Sequence, residues 1–331
     1  MSHVIRIEDQ SSLAEVRRIA NRAADAEDLS TDARGRLALV ISEACTNLVK
    51  HATGGEIHVA GLSKRYESGV EVLAIDRGPG IENLDRVMED GFSTTGTAGT
   101  GLGAIRRASQ TFDIYSTRGK GTVVMAQIGN PGSKSTAGIT IGAVEKALAP
   151  EPVSGDAWSV SWEESIASAI LVDGLGHGIA AAEAANEAIS AFDRHGSLGP
   201  AAFLQRAHLS LRATRGAAAS VAVLNFEKRQ VSFGGLGNVS GWLVGTSKMQ
   251  AMVSHNGTLG LSAPRFQEFT YPLPDPGFLV MHSDGLLTNW EISPLARNRH
   301  PSVIAALLYR DSSRGRDDVC VLVIKPKERA S

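Results

Sequence analysis

The residues best placed for chemistry are five aspartates at the ends of apolar runs. They are Asp156 in "VSGDAW", Asp173 in "LVDGLGHG", Asp284 in "MHSDGL", and Asp317 and Asp318 in "GRDDVCVLV". A β core presents side chains placed this way along one rim. Carboxylates gathered at a rim repel one another unless cations neutralise them, so the set favours a metal site. All-oxygen ligands suit Mg2+ or Mn2+ better than zinc. Taken alone, the Asp173-Gly174 step also reads as an ordinary turn. His177, in the same run, could act as a zinc ligand or a general acid. It lacks the partnering Cys/His spacing of a zinc site, so a supporting role is expected.

A second set lies earlier in the chain. In "ISEACTNLVKHA", Glu43, Asn47, Lys50 and His51 fall near one face of a single helix, which reads either as a solvated face or as a cluster of converging polar atoms. "AIDRGPGI" then puts Asp76 at the end of an apolar strand before a turn through Gly78 and Gly80. "GTAGTGLGAIRRA" supplies Gly96, Gly99, Gly101 and Gly103 ahead of a helix, whose free N–H groups and dipole can receive phosphates. A lone glycine run would be equally well explained as a flexible loop.

The elements that must position these residues fall into two groups. At ~150 residues per domain, 331 residues suggest two domains. The stretch "GNPGSKSTAG" reads as their seam, giving expected domains at 1–129 and 138–328 with a linker at 130–137. Before the seam, helical spacing at "SSLAEVRRIANRAADA", "TDARGRLALVISEACTNLVKHA" and "GLGAIRRASQ" alternates with strands at "EIHVAGLSKR", "GVEVLAIDRG", "FDIYSTR" and "GTVVMAQIG". This is an α/β domain with an antiparallel or mixed sheet. After the seam, six strand-like segments with helices near 178–194, 199–213 and 301–310 predict a β-rich core flanked by helices.

The net charge of −2 and scattered basic residues give no electrostatic footprint for nucleic acid or anionic lipid. There is no apolar run of membrane-spanning length and no basic, apolar leader, so a cytoplasmic protein is expected. Cys45 and Cys320 sit in apolar patterns and read as small core residues, consistent with a reducing compartment.

In their order, Glu-x-x-x-Asn, Asp-x-Gly-x-Gly, Gly-x-Gly-x-Gly and "GKGTVV" resemble the GHKL family of ATPases and kinases, over about residues 1–128. "DGFSTTGTAGTGLGAIRRASQTFDIYSTRGKGT" is similar to its RsbT-like and RsbW-like serine kinases of bacterial partner switching, and to the RsbT type in particular. The resemblance implies a Bergerat α/β sandwich that binds ATP and Mg2+. Glu43 would be the general base, Asn47 would hold Mg2+ between the phosphates, and Asp76 would meet the adenine amino group. Lys50, His51, Gly78, Gly80, Gly99, Gly101, Leu102, Gly103 and Thr122 would complete the nucleotide site. His51 is expected to be structural or to contact phosphate, not to accept a phosphoryl group.

Over about residues 138–327, the ordered Asp motifs with "DGLGHGIAAAEAANEAI" and "GLGNVSGWLVG" resemble the PPM metal-dependent phosphatases, in their SpoIIE-like branch and nearest the RsbX type. This implies an αββα sandwich in which Asp173 bridges two Mn2+ or Mg2+ ions. The Gly174 carbonyl, Asp156, Asp284 and Asp317 would be further ligands, with Asp318 supporting from behind. Such ions activate water and steady the oxygens of an in-line displacement. Together the two resemblances imply a kinase and phosphatase acting on STAS-domain proteins of the RsbS or RsbR type, with a downstream switch protein as a further partner. Two other readings are a first half that only binds ATP and docks or gates, and an anti-sigma factor of the RsbW type.

Overall fold

The computed structural model describes residues 2–52, 54–88, 101–132, 137–263 and 265–327. Gly96, Gly99 and linker residues 133–136 lie outside the described residues. The chain divides into two compact units, one of residues up to Thr136 with Asn298–Arg310, the other of Ala137–Arg297 with Asp311 onward.

The first unit contains β1 (Ser2–Ile7), α1 (Ser12–Ala26), α2 (Thr31–His51), β2 (Gly55–Gly61), β3 (Val70–Asp76), α3 (Leu84–Met88), α4 (Gly101–Ala108), β4 (Thr111–Thr117) and β5 (Gly121–Ile128). Its sheet runs β1-β2-β3-β5-β4, with every pairing antiparallel. Period-two alternation sorts the side chains. Ile57, Val59, Val72, Ala74, Val124 and Ala126 join Val16, Leu37, Ile41 and Leu48 of α1 and α2 in one core. Ser30 caps α2 by accepting from the Ala33 amide at 3.3 Å. The expected strand "EIHVAGLSKR" stops at Gly61, and Ser63–Arg65 turns instead as a short 3-10 helix.

The other face of this sheet is also buried. Glu71 lies there opposite Gln127 in the β3–β5 register. Its carboxylate accepts from Arg65 Nη1 at 2.6 Å, Ser302 Oγ at 2.6 Å and Gln127 Nε2 at 3.1 Å. Tyr309 Oη donates to Glu56 at 2.6 Å, and the His300 amide donates to Asp113 at 2.7 Å. These bonds account for residues 298–310 grouping with the first unit. A buried carboxylate must be paired and hydrogen-bonded, and a distant stretch of chain supplies part of that pairing.

The second unit contains β6 (Ile139–Lys146), β7 (Asp156–Glu163), β8 (Ile166–Gly174), α5 (Ile179–His195), α6 (Pro200–Ser210), β9 (Ala217–Asn225), β10 (Gln230–Leu236), β11 (Ser240–Gly245), β12 (Met249–Met252), β13 (Phe269–Pro272), β14 (Gly277–His282), α7 (Pro294–Arg297) and β15 (Val319–Pro326). Helix α8 (Pro301–Ser312) belongs to the first unit through Arg310. Two five-stranded antiparallel sheets form, β13-β10-β9-β8-β7 and β12-β11-β14-β15-β6. Phe233 of the first sheet packs on Gly241 of the second, where a Cβ would come within 2.4 Å of its ring. Phe192 of α5 and Phe203 and Leu204 of α6 cover Ile170, Val172, Ala219 and Val221. The first unit is an α/β layer pair and the second holds two packed antiparallel sheets with helices on the outside, as the two resemblances imply. Among the described residues, no helix is long and apolar enough to cross a membrane.

Candidate nucleotide and metal sites

Glu43 and Asn47 lie one turn apart on α2 and both face the start of α4. A Cβ at Gly101 would stand 3.3 Å from Asn47 Oδ1 and 3.3 Å from Glu43 Oε2. A glycine there lets the helix N-terminus approach both side chains. Leu102 and Gly103 continue the first turn of α4, with Gly103 buried. Lys50 and His51 are exposed in the last turn of α2, where cations complement the helix dipole.

Asp76 ends β3. Its Oδ1 accepts from the Gly78 amide at 2.7 Å and the Thr122 amide at 3.2 Å. Burial pushes its carboxyl up, while these two amides and the charges of Arg310 and His51 pull it down. Gly78 is tight, since a Cβ would meet the His51 carbonyl at 2.7 Å. Gly80 adopts φ +72°, a left-handed conformation natural to glycine. The Thr122 hydroxyl pairs with Ser116 Oγ at 2.9 Å, and Ser116 Oγ also accepts from the Ile81 amide at 2.8 Å. Ser116 thus braces the turn from a position the sequence patterns did not single out.

In the second unit, Asp156 opens β7, and Asp173, one residue before the end of β8, is its direct cross-strand partner. Asp156 is buried, and its Oδ2 accepts from Ser283 Oγ at 2.6 Å. Asp284 Oδ2 accepts from Asn238 Nδ2 at 2.6 Å. Asp317 accepts from the Asp318 amide at 2.9 Å. Burial and the charges of Asp284, Asp317 and Asp318 push the Asp173 carboxyl up to about 7. Burial and Asp173 likewise raise Asp156, and burial and Asp284 raise Asp317. Gly174 packs so closely on α5 that a Cβ would meet the Ala181 carbonyl at 2.1 Å.

The two remaining candidates play other parts. Asp318 is occupied by backbone, its oxygens taking the Leu148 amide at 2.6 Å and the Gly155 amide at 2.7 Å, so it anchors the segment leading into β7. His177 pairs through Nδ1 with Glu151 at 2.8 Å. Ser283 and Asn238, which hold two of the aspartates, stand inside "MHSDGL" and "GLGNVSGWLVG" without having been marked as site residues. Among the described residues, no three His, Cys, Asp or Glu side chains already form a closed ligand set. The carboxylates are neighbours that raise one another's proton affinity, and hard divalent cations relieve that condition. The donor chemistry of these carboxylates fits a hard divalent cation.

Residues 8–128 match the family described as histidine kinase-like ATPase domain, and residues 166–327 match the SpoIIE family, stage II sporulation protein E. The chain is 33% identical over 122 residues to the serine/threonine-protein kinase RsbT of Bacillus subtilis (strain 168), covering 37% of this chain and 92% of that one. An anti-sigma F factor of Thermoanaerobacter sp. (strain X514) is 33% identical over 89 residues, and the chain spans 62% of it. A solved structure described under "The bacterial stressosome: a modular system that has been adapted to control secondary messenger signaling" has a TM-score of 0.52 at 26% identity, covering 56% of this chain and 99% of that one. The structure of RsbX in complex with magnesium has a TM-score of 0.51 at 21% identity, covering 56% of this chain and 94% of its own, a likeness of fold. Through residues 8–128 the chain belongs to the histidine kinase-like ATPase family, and over residues 166–327 it carries a SpoIIE-type domain.

Proposed function

We propose that this chain is a bifunctional partner-switching regulator of the stressosome type. Its first unit transfers phosphate from ATP to a serine or threonine, and its second removes it, with STAS-domain proteins of the RsbS or RsbR kind as substrates. The observation that carries the phosphatase half is the Asp156–Asp173 cross-strand pair; burial first, and then the charges of Asp284 and Asp317, push the Asp173 carboxyl up. Bound there, Mg2+ or Mn2+ supplies Lewis acidity for water and charge neutralisation for the phosphate. The chain's own part is to hold four carboxylates at one end of its two sheets.

For the kinase half, the supporting observation is that Glu43 and Asn47 both face Gly101. Glu43 takes the proton of the attacking hydroxyl, and Asn47 serves the Mg2+ that accompanies the phosphates. The amides opening α4 at Gly101, Leu102 and Gly103 receive phosphate oxygens. Asp76, whose Oδ1 takes the Gly78 and Thr122 amides, would offer Oδ2 to the adenine amino group. Similarity to an anti-sigma F factor favours a second reading, in which the first unit acts by binding a protein partner and gating the phosphatase.

The test uses an Asp284→Asn chain with ATP, Mg2+ and a STAS-domain protein of the same genome, followed by intact-mass analysis of the STAS protein. A phosphoryl group that appears and is then removed by unaltered chain with Mn2+ is the expected result. Removal of phosphate from a pre-phosphorylated STAS protein, with no transfer from ATP, would discard the kinase and leave the gated phosphatase.

A further inference from the structure

We infer that Asn238 is a positioning residue of the metal site, its side-chain amide holding Asp284 in place among the carboxylates that would bind divalent cations. The inference rests on the phosphatase reading and adds a residue outside the aspartate set.

The geometry comes from the backbone upward. Gly237 adopts φ +92° and packs so closely on the next strand that a Cβ would stand 2.5 Å from Ala218 Cβ. Ala218 is the direct β-partner of Asp173. The Gly237 amide donates to the His255 carbonyl at 2.7 Å, and the Val239 carbonyl accepts from Ser220 Oγ at 2.8 Å. Asn238 is thereby fixed between two pinned neighbours, next to the end of β8. From there Nδ2 donates to Asp284 Oδ2 at 2.6 Å.

The residue type suits the task. Its amide offers two N–H donors and no net charge. An ammonium in this place would cancel the field that draws cations, and another carboxylate would add to the repulsion among Asp156, Asp173, Asp284 and Asp317. A neutral donor on Asp284 orients that carboxylate and leaves its charge available. Groups that orient metal ligands in this way commonly change metal affinity by about 10–100-fold when removed.

The experiment titrates Mn2+ into the full chain by calorimetry and, separately, follows p-nitrophenyl phosphate hydrolysis as a function of Mn2+. For Asn238→Ala, Mn2+ binding about tenfold weaker or more is expected, with the midpoint of Mn2+ activation shifted alike and kcat largely restored at saturating Mn2+. Metal-free thermal unfolding should remain close to that of the unaltered chain. Asn238→Ser, which keeps a small donor and secures the reading if the alanine variant folds poorly, should fall between them. Unchanged Mn2+ affinity in both variants would overturn the role of Asn238 while leaving the phosphatase intact. Absence of Mn2+ binding by the unaltered chain would overturn the phosphatase reading and this inference with it.

Discussion

Asp156 and Asp173 face each other across the β7–β8 pairing, so two adjacent antiparallel strands bring their carboxylates to one end of the sheet. Cross-strand like charges destabilise, and here burial adds to the cost. Asp173→Asn should therefore abolish phosphatase activity and at the same time raise the melting temperature of the metal-free protein. Relief of about 1 kcal/mol would raise it by roughly 2–4 °C in a unit of this size. A scanning-calorimetry trace with an unchanged or lowered transition for the second unit would contradict this account of the strain.

Glu71 obeys the opposite electrostatics. Burial alone would push its carboxyl up, but the Arg65 guanidinium, His300 and the Ser302 hydroxyl outweigh it and hold it below the ordinary range. A folded pKa below the unfolded one contributes stability above about 4.5, lost as the pH falls through the folded value. Glu71→Ala should destabilise the first unit by about 3–5 kcal/mol at neutral pH, because it removes the carboxylate that neutralises the buried Arg65 guanidinium. Hydrogen exchange along β3 would read this out. Protection equal to that of the unaltered chain at pH 7, or a deficit that does not shrink on acidification, would show that the pair is not holding the sheet.

The contrast between these two sites explains what the sequence made legible. Asp173 and Asp76 each follow an apolar run and precede glycines, so residue type and local spacing marked them. The β-rich second half and the α2 helix were readable for the same reason, since periodicity is a local signal. Glu71 and Ser302 are far apart in the chain, and no local pattern says that a segment inside one expected domain completes the buried face of another unit's sheet. β1 and β6 complete their sheets only with partners, β2 for one and β15 for the other, that lie at a distance in sequence. Asn238 and Ser283 were invisible as site residues because an uncharged donor gains its meaning only from the carboxylate it meets.

Cys45 and Cys320 are both buried and free. Burial pushes the Cys45 thiol up to about 11, so its reactive thiolate is scarce at neutral pH. With Ellman's reagent at pH 8, native protein should show essentially no fast-reacting thiol, and denatured protein should show both. Rapid modification of Cys45 in the native state would mean that the α2 core opens readily.

The approach of Glu43 and Asn47 to Gly101 makes separable demands on binding and on chemistry. Glu43→Gln keeps the side chain's shape but cannot take a proton. It should leave ATP affinity nearly unchanged and slow transfer to a STAS-domain acceptor by about 10²–10⁴-fold, the usual weight of a general base. Gly101→Ala should do the reverse. The new Cβ, 3.3 Å from oxygens of both residues, forces them to give by a few tenths of an ångström and blocks the approach of the α4 N-terminus. Weakened ATP binding in a fluorescent-nucleotide titration is the expected outcome, with the acceptor still modified at saturating ATP. If Glu43→Gln transfers phosphate at the unaltered rate, the base lies elsewhere. If both variants bind ATP normally and neither they nor the unaltered chain modify the acceptor, the first unit works as an ATP-dependent binding module, and the transferable chemistry of the chain resides in its carboxylate site.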